Sequence, residues 1–261
     1  MVKFFKMQGI GNDYIFIDNM EGKNNIKKIK PFVRAICQRH YGVGADGVIL
    51  LQKSKAADVK IKIYNSDASL ANMCGNASRC VAYYIHKKIG KDVVKIQTQN
   101  RTITCKMMST FKDGAIVSVD MGSAFLDKIL IVQFEEKEFT LNIVDIGNRH
   151  CVIFVDNFNF NVRKFCKYIQ NLPIFDDGIN VELVQVKKDH IKVKVYERGS
   201  GFTLACGSGA CACAFVCYLK SYTQNYVNVK LDGGELNIEC KEHIIMTGEC
   251  RYVYDGVWYE Y

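Results

Sequence analysis

Two short segments carry residue types that can do chemistry. Cys74-Gly75-Asn76-Ala77 and Cys206-Gly207-Ser208-Gly209 each set a thiol before a glycine, a polar residue and a small residue. Each follows a strand-like run that ends in tyrosine and a polar residue, Tyr64-Asn65 and Tyr196-Glu197, at the same offset from its cysteine. The matched offsets read as two copies of one unit, each presenting a cysteine where a helix begins. At such a position the helix dipole and unsatisfied N–H groups favour a thiolate. The same N–H groups can hold a carboxylate, and Asn76, Ser78 and Ser208 can cap or bond locally. If the two thiols face each other across a pocket, one can take a proton from a carbon and the other can return it from the opposite face. That inverts a stereocentre with no cofactor. Converging N–H groups would stabilise the developing charge, and exclusion of water would strengthen them. One cysteine must be thiolate while the other is thiol, so their titrations are expected to be coupled.

Other uses of the cysteines are weaker readings. Twelve cysteines in 261 residues could form a disulfide framework in a short secreted chain, but this chain is not short and its first residues lack the apolar stretch of a signal peptide. A reducing, cytoplasmic setting with most thiols as small buried hydrophobes is the simpler expectation. A dithiol redox pair usually keeps its cysteines close in sequence. Cys74 and Cys80, or Cys206, Cys211 and Cys213, lack the spacing of a zinc ribbon or finger, so no metal and no cofactor is expected. A purely structural role for Cys74 and Cys206 leaves the polar neighbours Asn76, Glu197 and Arg198 unexplained. A non-enzymatic binding protein could use the same anion cradle but would not need both thiols.

The net charge of +8 comes from lysines spread along the chain. In Val59–Ile63 and Ile191–Val195 lysine alternates with apolar residues, the pattern of strands with one solvated face. That argues against a nucleic-acid partner, as does the lack of a basic stripe interleaved with aromatics. The apolar stretch Ala210–Leu219 is too short to span a bilayer and reads as a buried helix, so no membrane partner is expected.

The elements that must position the cysteines follow from periodicity. Strands are expected at 2–7 and 14–18 around a glycine-rich turn, then a helix in the stretch Ile26–Tyr41 with Pro31 near its start. Further strands are expected at 48–52, 59–64, 93–98, 102–108 and 115–119. The second half repeats the material, with strands at 129–134, 139–145, 151–155, 181–186 and 191–196 and a helix at Val162–Gln170. Strands at 226–231, 235–240, 243–248 and 251–259 close the list. The class is α+β, in a chain long enough for two domains.

At these residues the chain resembles diaminopimelate epimerase, and the resemblance runs through nearly its whole length. It is carried in order by Phe5–Tyr14 (FKMQGIGNDY), Gly42–Gly47 (GVGADG), Asn65–Ser69 (NSDAS), Met73–Cys80 (MCGNASRC), Gly147–His150 (GNRH), Tyr196–Gly201 (YERGSG), Ala205–Cys211 (ACGSGAC) and Met246–Glu249 (MTGE). The resemblance implies two similar domains related by pseudo-twofold symmetry, each a barrel-like sheet around a central helix, with the active site in the cleft between them. The first would be 1–117 plus 251–261 and the second 118–250. It implies a pyridoxal-independent epimerase of lysine biosynthesis that interconverts L,L- and meso-diaminopimelate, and usually a homodimer. Cys74 and Cys206 would be acid and base, with His150 and Glu197 helping to set their protonation. Asn12, Asn65, Asn148 and Asn180 would contact a zwitterionic substrate, whose distal ammonium and carboxylate Glu197 and Arg198 would grip. Gly75, Asn76, Gly207 and Ser208 would form the cradle for the reacting carboxylate.

The surroundings depart from the family's pattern. Arg149 stands where the family has proline, and Phe202 where it has glutamate. Ala68 and Ala77 replace glycines and would be strained if glycine torsions were required. Position 47 is Gly where some members have Gln. These changes leave open a related racemase acting on lysine, histidine or lanthionine, although Glu197 and Arg198 favour a substrate with a second amino-acid head.

Overall fold

A computed structural model describes residues 1–24 and 26–259. The described chain runs β1 (Val2–Gly9), β2 (Asn12–Asp18), α1 (Ile29–Ile36), β3 (Gly47–Gln52), β4 (Val59–Asn65), β5 (Leu70–Ala71), α2 (Gly75–Ile89), β6 (Val93–Gln97), β7 (Thr102–Phe111) and β8 (Gly114–Asp120). It continues as β9 (Phe125–Phe134), β10 (Lys137–Asp145), β11 (Arg149–Phe154), α3 (Val162–Gln170), β12 (Asn180–Val186), β13 (His190–Glu197) and β14 (Gly201–Thr203). The last elements are α4 (Gly207–Leu219), β15 (Tyr226–Leu231), β16 (Gly234–Cys240) and β17 (Ile244–Trp258). Two compact units result, Met1–Val119 with Gly248–Tyr261, and Asp120–Thr247.

In the first unit the strands close on themselves. β1 pairs with β2, β2 runs parallel to β3, β3 antiparallel to β4, and β4 parallel to β6. β6, β7 and β8 follow as antiparallel neighbours, and β17 joins β8 back to β1. An eight-strand barrel without free edges is the outcome, which removes the unpaired backbone that an open sheet leaves exposed. The second unit repeats the order of pairings. β9, β10 and β11 are antiparallel neighbours, β11 runs parallel to β12, and β12 antiparallel to β13. β13 then runs parallel to β15, which pairs antiparallel with β16. In each unit the two parallel pairs are joined by helical crossovers, as parallel strands require.

The two helices of each unit differ in burial because they differ in composition. In α1 only Phe32, Val33 and Ile36 are buried, and in α3 only Phe165, Cys166 and Ile169. These are one-sided helices lying outside the sheet. In α2 and α4 nearly every residue of the first two turns is buried. α2 packs on β1, β2, β6 and β7, and α4 on β10, β11, β12, β13, β15 and β16. Small residues make this possible: Ala77, Ser78, Cys80 and Ala82 in one helix, and Gly209, Ala210, Cys211, Ala212, Cys213 and Ala214 in the other. The cysteine-rich composition of α4 is thus a packing solution for a helix enclosed by strands.

Several expectations change at their boundaries: β9 begins at Phe125 rather than 129, and β7 runs to Phe111 rather than 108. The helix in the Ile26–Tyr41 stretch is confined to Ile29–Ile36 and stops at Cys37, after which the chain turns toward Gly42; a Cβ at 42 would lie 2.3 Å from the Ala35 carbonyl oxygen. The strands expected at 243–248 and 251–259 are one strand, β17. The buried and half-buried alternation continues through Gly248 without interruption, so this glycine marks no turn.

Candidate active site

Each cysteine caps its own helix. Cys74 has φ −143° and ψ 112°, Cys206 φ −123° and ψ 113°, both in the extended region. Each sulfur accepts the backbone N–H three residues on, Ala77 N and Gly209 N, at 3.4 Å in both cases. This is the N-cap geometry usually supplied by Ser, Thr, Asp or Asn. A thiolate there gains an N–H donor and the positive end of the helix dipole. The cap role therefore falls to the cysteines themselves. Ser78 instead donates back to the Cys74 carbonyl oxygen at 2.9 Å.

In the first unit the strand β2 brings Asn12 and Tyr14 to Cys74. The Tyr14 hydroxyl donates to Cys74 Sγ at 3.3 Å, and Asn12 Oδ1 lies 3.6 Å from the same sulfur. Asn12 Oδ1 also accepts from Asn76 Nδ2 at 3.2 Å, while its own Nδ2 donates to Asp46 Oδ2 at 2.7 Å. Asp46 is held in turn by Arg39 Nη2 at 2.7 Å, which also bonds Asp13 at 2.7 Å. Burial would raise the Asp13 carboxyl, but Arg39 and Lys6 together hold it below its ordinary value. Behind Asn76 the fully buried Arg79 donates to Asn76 Oδ1 at 2.9 Å and to the Glu249 carbonyl oxygen at 3.1 Å. A Cβ at Gly9 would lie 2.9 Å from that guanidinium, so a larger residue where β1 passes would press on it. Asn65 is turned to its own loop, donating to Ser69 Oγ at 2.9 Å.

In the second unit β11, β12 and β13 converge on Cys206. His150 and Glu182 are fully buried, with His150 Nδ1 2.6 Å from Glu182 Oε1. His150 Nε2 lies 3.0 Å from Ser208 Oγ, and Ser208 Oγ 3.5 Å from Cys206 Sγ. Burial pushes the Cys206 thiol well above its ordinary value, with help from the charges of Glu197 and Glu182; Ser208 and the Gly209 N–H act in the opposite direction. Burial also raises Glu197, against a hydrogen bond from Thr203 Oγ1 at 2.5 Å. Asn180 is the hub of a second group. It accepts from the Arg198 backbone N–H at 3.0 Å and donates to the Arg149 carbonyl oxygen at 3.2 Å. The exposed Arg198 side chain bonds the Asp177 carbonyl oxygen at 3.3 Å. Asn148 sits on the exposed turn before β11.

The departures resolve individually. Arg149 is paired with Asp127 at 2.7 Å, so its charge is partnered. Phe202 packs edge-on against Tyr196 at 5.0 Å and lies under the Arg163 guanidinium. Ala68 takes φ 68°, a left-handed torsion that costs an L-residue about 1 kcal/mol. Ala77 is helical and unstrained. Gly47 has its backbone so close to β4 that a Cβ would lie 2.2 Å from the Tyr64 carbonyl oxygen; no larger residue fits there.

Sequence reasoning missed Tyr14, Asp46 and Glu182. Glu182 had a signal: one carboxylate inside the otherwise apolar run Val181–Val184, in a strand buried on both faces. His150, Glu182 and Cys206 also bring three potential metal-ligand atoms within 4.8 Å of one another. The hydrogen bonds linking Glu182, His150, Ser208 and Cys206 account for that proximity.

A family model for diaminopimelate epimerase matches residues 4–126 and 142–253. A diaminopimelate epimerase of Leptospira biflexa is 36% identical over 277 residues, covering 98% of each chain. One from Methanococcus maripaludis is 36% identical over 275 residues, covering 98% of this chain and 99% of the relative. Among solved structures, a hydroxyproline epimerase from Agrobacterium vitis superposes with TM-score 0.75 at 13% identity over 98% of this chain and 91% of that one. A phenazine biosynthesis protein of the PhzF family from Bacillus anthracis gives 0.76 at 12% identity over 98% of both. These two likenesses show the fold, an α+β architecture of two barrel-like units. On the match of the family model and the extent of these identities, the chain belongs to the diaminopimelate epimerase family.

Proposed function

We propose that this protein interconverts L,L- and meso-diaminopimelate, with Cys74 and Cys206 acting on opposite faces of one α-carbon. The observation that carries the reading is the repeated cap: in each unit a cysteine accepts the N–H of its own helix at the same distance, 3.4 Å. An α-proton is weakly acidic, so the thiolate that removes it needs stabilised charge on the carboxylate side. Gly75 and Asn76 in one unit, and Gly207 and Ser208 in the other, present the first N–H groups of buried helices and would supply it. The second thiol then delivers a proton, and roles exchange when the other epimer binds. His150 and Glu197 would tune Cys206. Asn12, Asn65, Asn148 and Asn180 would meet polar groups of the substrate, and Glu197 with Arg198 its distal head. Arg149 and Phe202 are engaged with Asp127 and with Tyr196 and Arg163, which favours them as accommodated changes over a remade specificity. We further read the protein as a cytoplasmic homodimer, as membership of this family implies. Separately, no described helix is long and apolar enough to cross a membrane.

The test is incubation of reduced protein with L,L-diaminopimelate in deuterated water. Meso product carrying α-deuterium is expected, with a loss of about 10³-fold in Cys74→Ala and in Cys206→Ala, within the range of general acid–base contributions. Folded protein that neither converts nor exchanges this substrate, but acts on lysine, histidine or lanthionine, would move the assignment to a related racemase.

A further inference from the structure

We propose that Glu182 is a positioning residue for the Cys206 half of the reaction, holding His150 so that this imidazole can store the thiol's proton through Ser208. The inference rests on the two-thiol reading above and adds to it a carboxylate that reaches Cys206 through His150 and Ser208.

The geometry is a continuous chain: Glu182 Oε1 to His150 Nδ1 at 2.6 Å, His150 Nε2 to Ser208 Oγ at 3.0 Å, Ser208 Oγ to Cys206 Sγ at 3.5 Å. With Glu182 ionised, the proton on Nδ1 is fixed, and Nε2 faces the serine as an acceptor. At rest the thiol donates to Ser208 Oγ, and the serine hydroxyl donates to Nε2. When Cys206 must act as base, the thiol proton moves to Ser208 Oγ while the serine proton moves to Nε2. The balance is one thiolate and one imidazolium from one thiol and one imidazole, with no redox change and no external co-reactant. The imidazolium then lies against the carboxylate.

Three further features support this role. The other carboxylate oxygen of Glu182, Oε2, is buried without a hydrogen-bond partner among the described residues. A buried charge with a bare oxygen is costly, and it has a use if a neighbouring cation forms during turnover. Gly209 is shaped around the carboxylate, since a Cβ there would lie 2.5 Å from Glu182 Oε1. The remaining groups facing the pair are three thiols, Arg149 and Glu197. Burial pushes Cys151 and Cys213 well above the ordinary thiol value and Cys166 up to about 12, so these thiols stay neutral. Arg149, beside His150, is engaged with Asp127. Glu197 is the other carboxylate near Cys206, raised by burial and bonded by Thr203.

The experiment is a histidine-selective ¹⁵N NMR titration of the full chain without substrate, with His150 assigned among the five histidines by its loss in His150→Gln. Glu182→Gln keeps an acceptor for Nδ1–H and removes the charge. It is expected to lower the His150 midpoint by about one pH unit or more, since one unit corresponds to a tenfold change in the stability of the imidazolium. With substrate, kcat should fall by about 10²-fold, with KM within about twofold and the low-pH limb of the rate profile moved down in step. Glu182→Asp should recover part of both effects. Gly209→Ala, which displaces the carboxylate but favours the helix, should reproduce the Glu182→Gln signature. A His150 midpoint and pH profile unmoved in Glu182→Gln would overturn the proposal, as would activity lost only in parallel with thermal stability. If the wild type exchanges no amino-acid α-proton, the two-thiol reading fails; the substrate-free titration still decides the role of Glu182.

Discussion

The two helix starts share one backbone solution and surround it with different chemistry. Cys74 and Cys206 accept their capping N–H at equal distance, yet Cys74 is half-buried among a tyrosine hydroxyl and asparagines, while Cys206 is 7% exposed among two carboxylates and a histidine. The duplicated unit therefore fixes where a thiol sits, and the strands beside it fix how readily that thiol ionises. An enzyme that needs one thiol and one thiolate gains from this asymmetry, because two identical environments would leave the resting proton undecided.

Alkylation tests the asymmetry directly and has the largest expected effect. In reduced protein at pH 8, iodoacetamide should modify Cys74 faster than Cys206 by about 10²-fold or more, because the thiolate is the nucleophile and Cys206 is both buried and held protonated. Peptide mapping over time measures the ratio, and comparable rates would show that the two environments are equivalent in solution. Glu197→Gln should narrow the ratio. Removing a negative charge beside Cys206 stabilises its thiolate, so its ionisation should move down by about one pH unit, about tenfold in thiolate at fixed pH. Cys74, in the other unit, should be unmoved. A Cys206 profile that stays in place in Glu197→Gln would mean that burial alone sets its acidity.

Much of this was legible in the sequence because it is local. The Cys-Gly starts, the strand-to-helix offsets and α3 at Val162–Gln170 follow from turn residues and apolar period, which act over a few positions. The partners of the thiols were less legible because strand pairing across long separations brings them in. Asn12 and Tyr14 reach Cys74 from β2, and Glu182 reaches His150 because β11 and β12 run parallel with His150 opposite Asn180, which sets Glu182 one pleat further on the same face. The gap expected between 248 and 251 is absent because β17 runs through it as one strand, with its burial alternation unbroken.

The fourth residue of each helix start gives the smallest and cleanest contrast. It is Ala77 in the first unit and Gly209 in the second, and both donate the capping N–H. At 209 a Cβ would collide with the Glu182 carboxylate; at 77 the methyl is fully buried in the helical conformation. Alanine there contributes helix propensity and a buried methyl. Ala77→Gly should therefore cost about 1–2 kcal/mol, from about 0.8 for the methyl and up to about 1 for the glycine. That corresponds to a fall in Tm of a few degrees, about 2–4 °C per kcal/mol for a chain of this size, measurable by calorimetry. The alkylation ratio should hold, since the N–H to Cys74 Sγ is retained. A Tm unchanged in Ala77→Gly would mean that the first helix start gains nothing from its alanine, and that the difference between the two positions lies wholly in the room Glu182 requires.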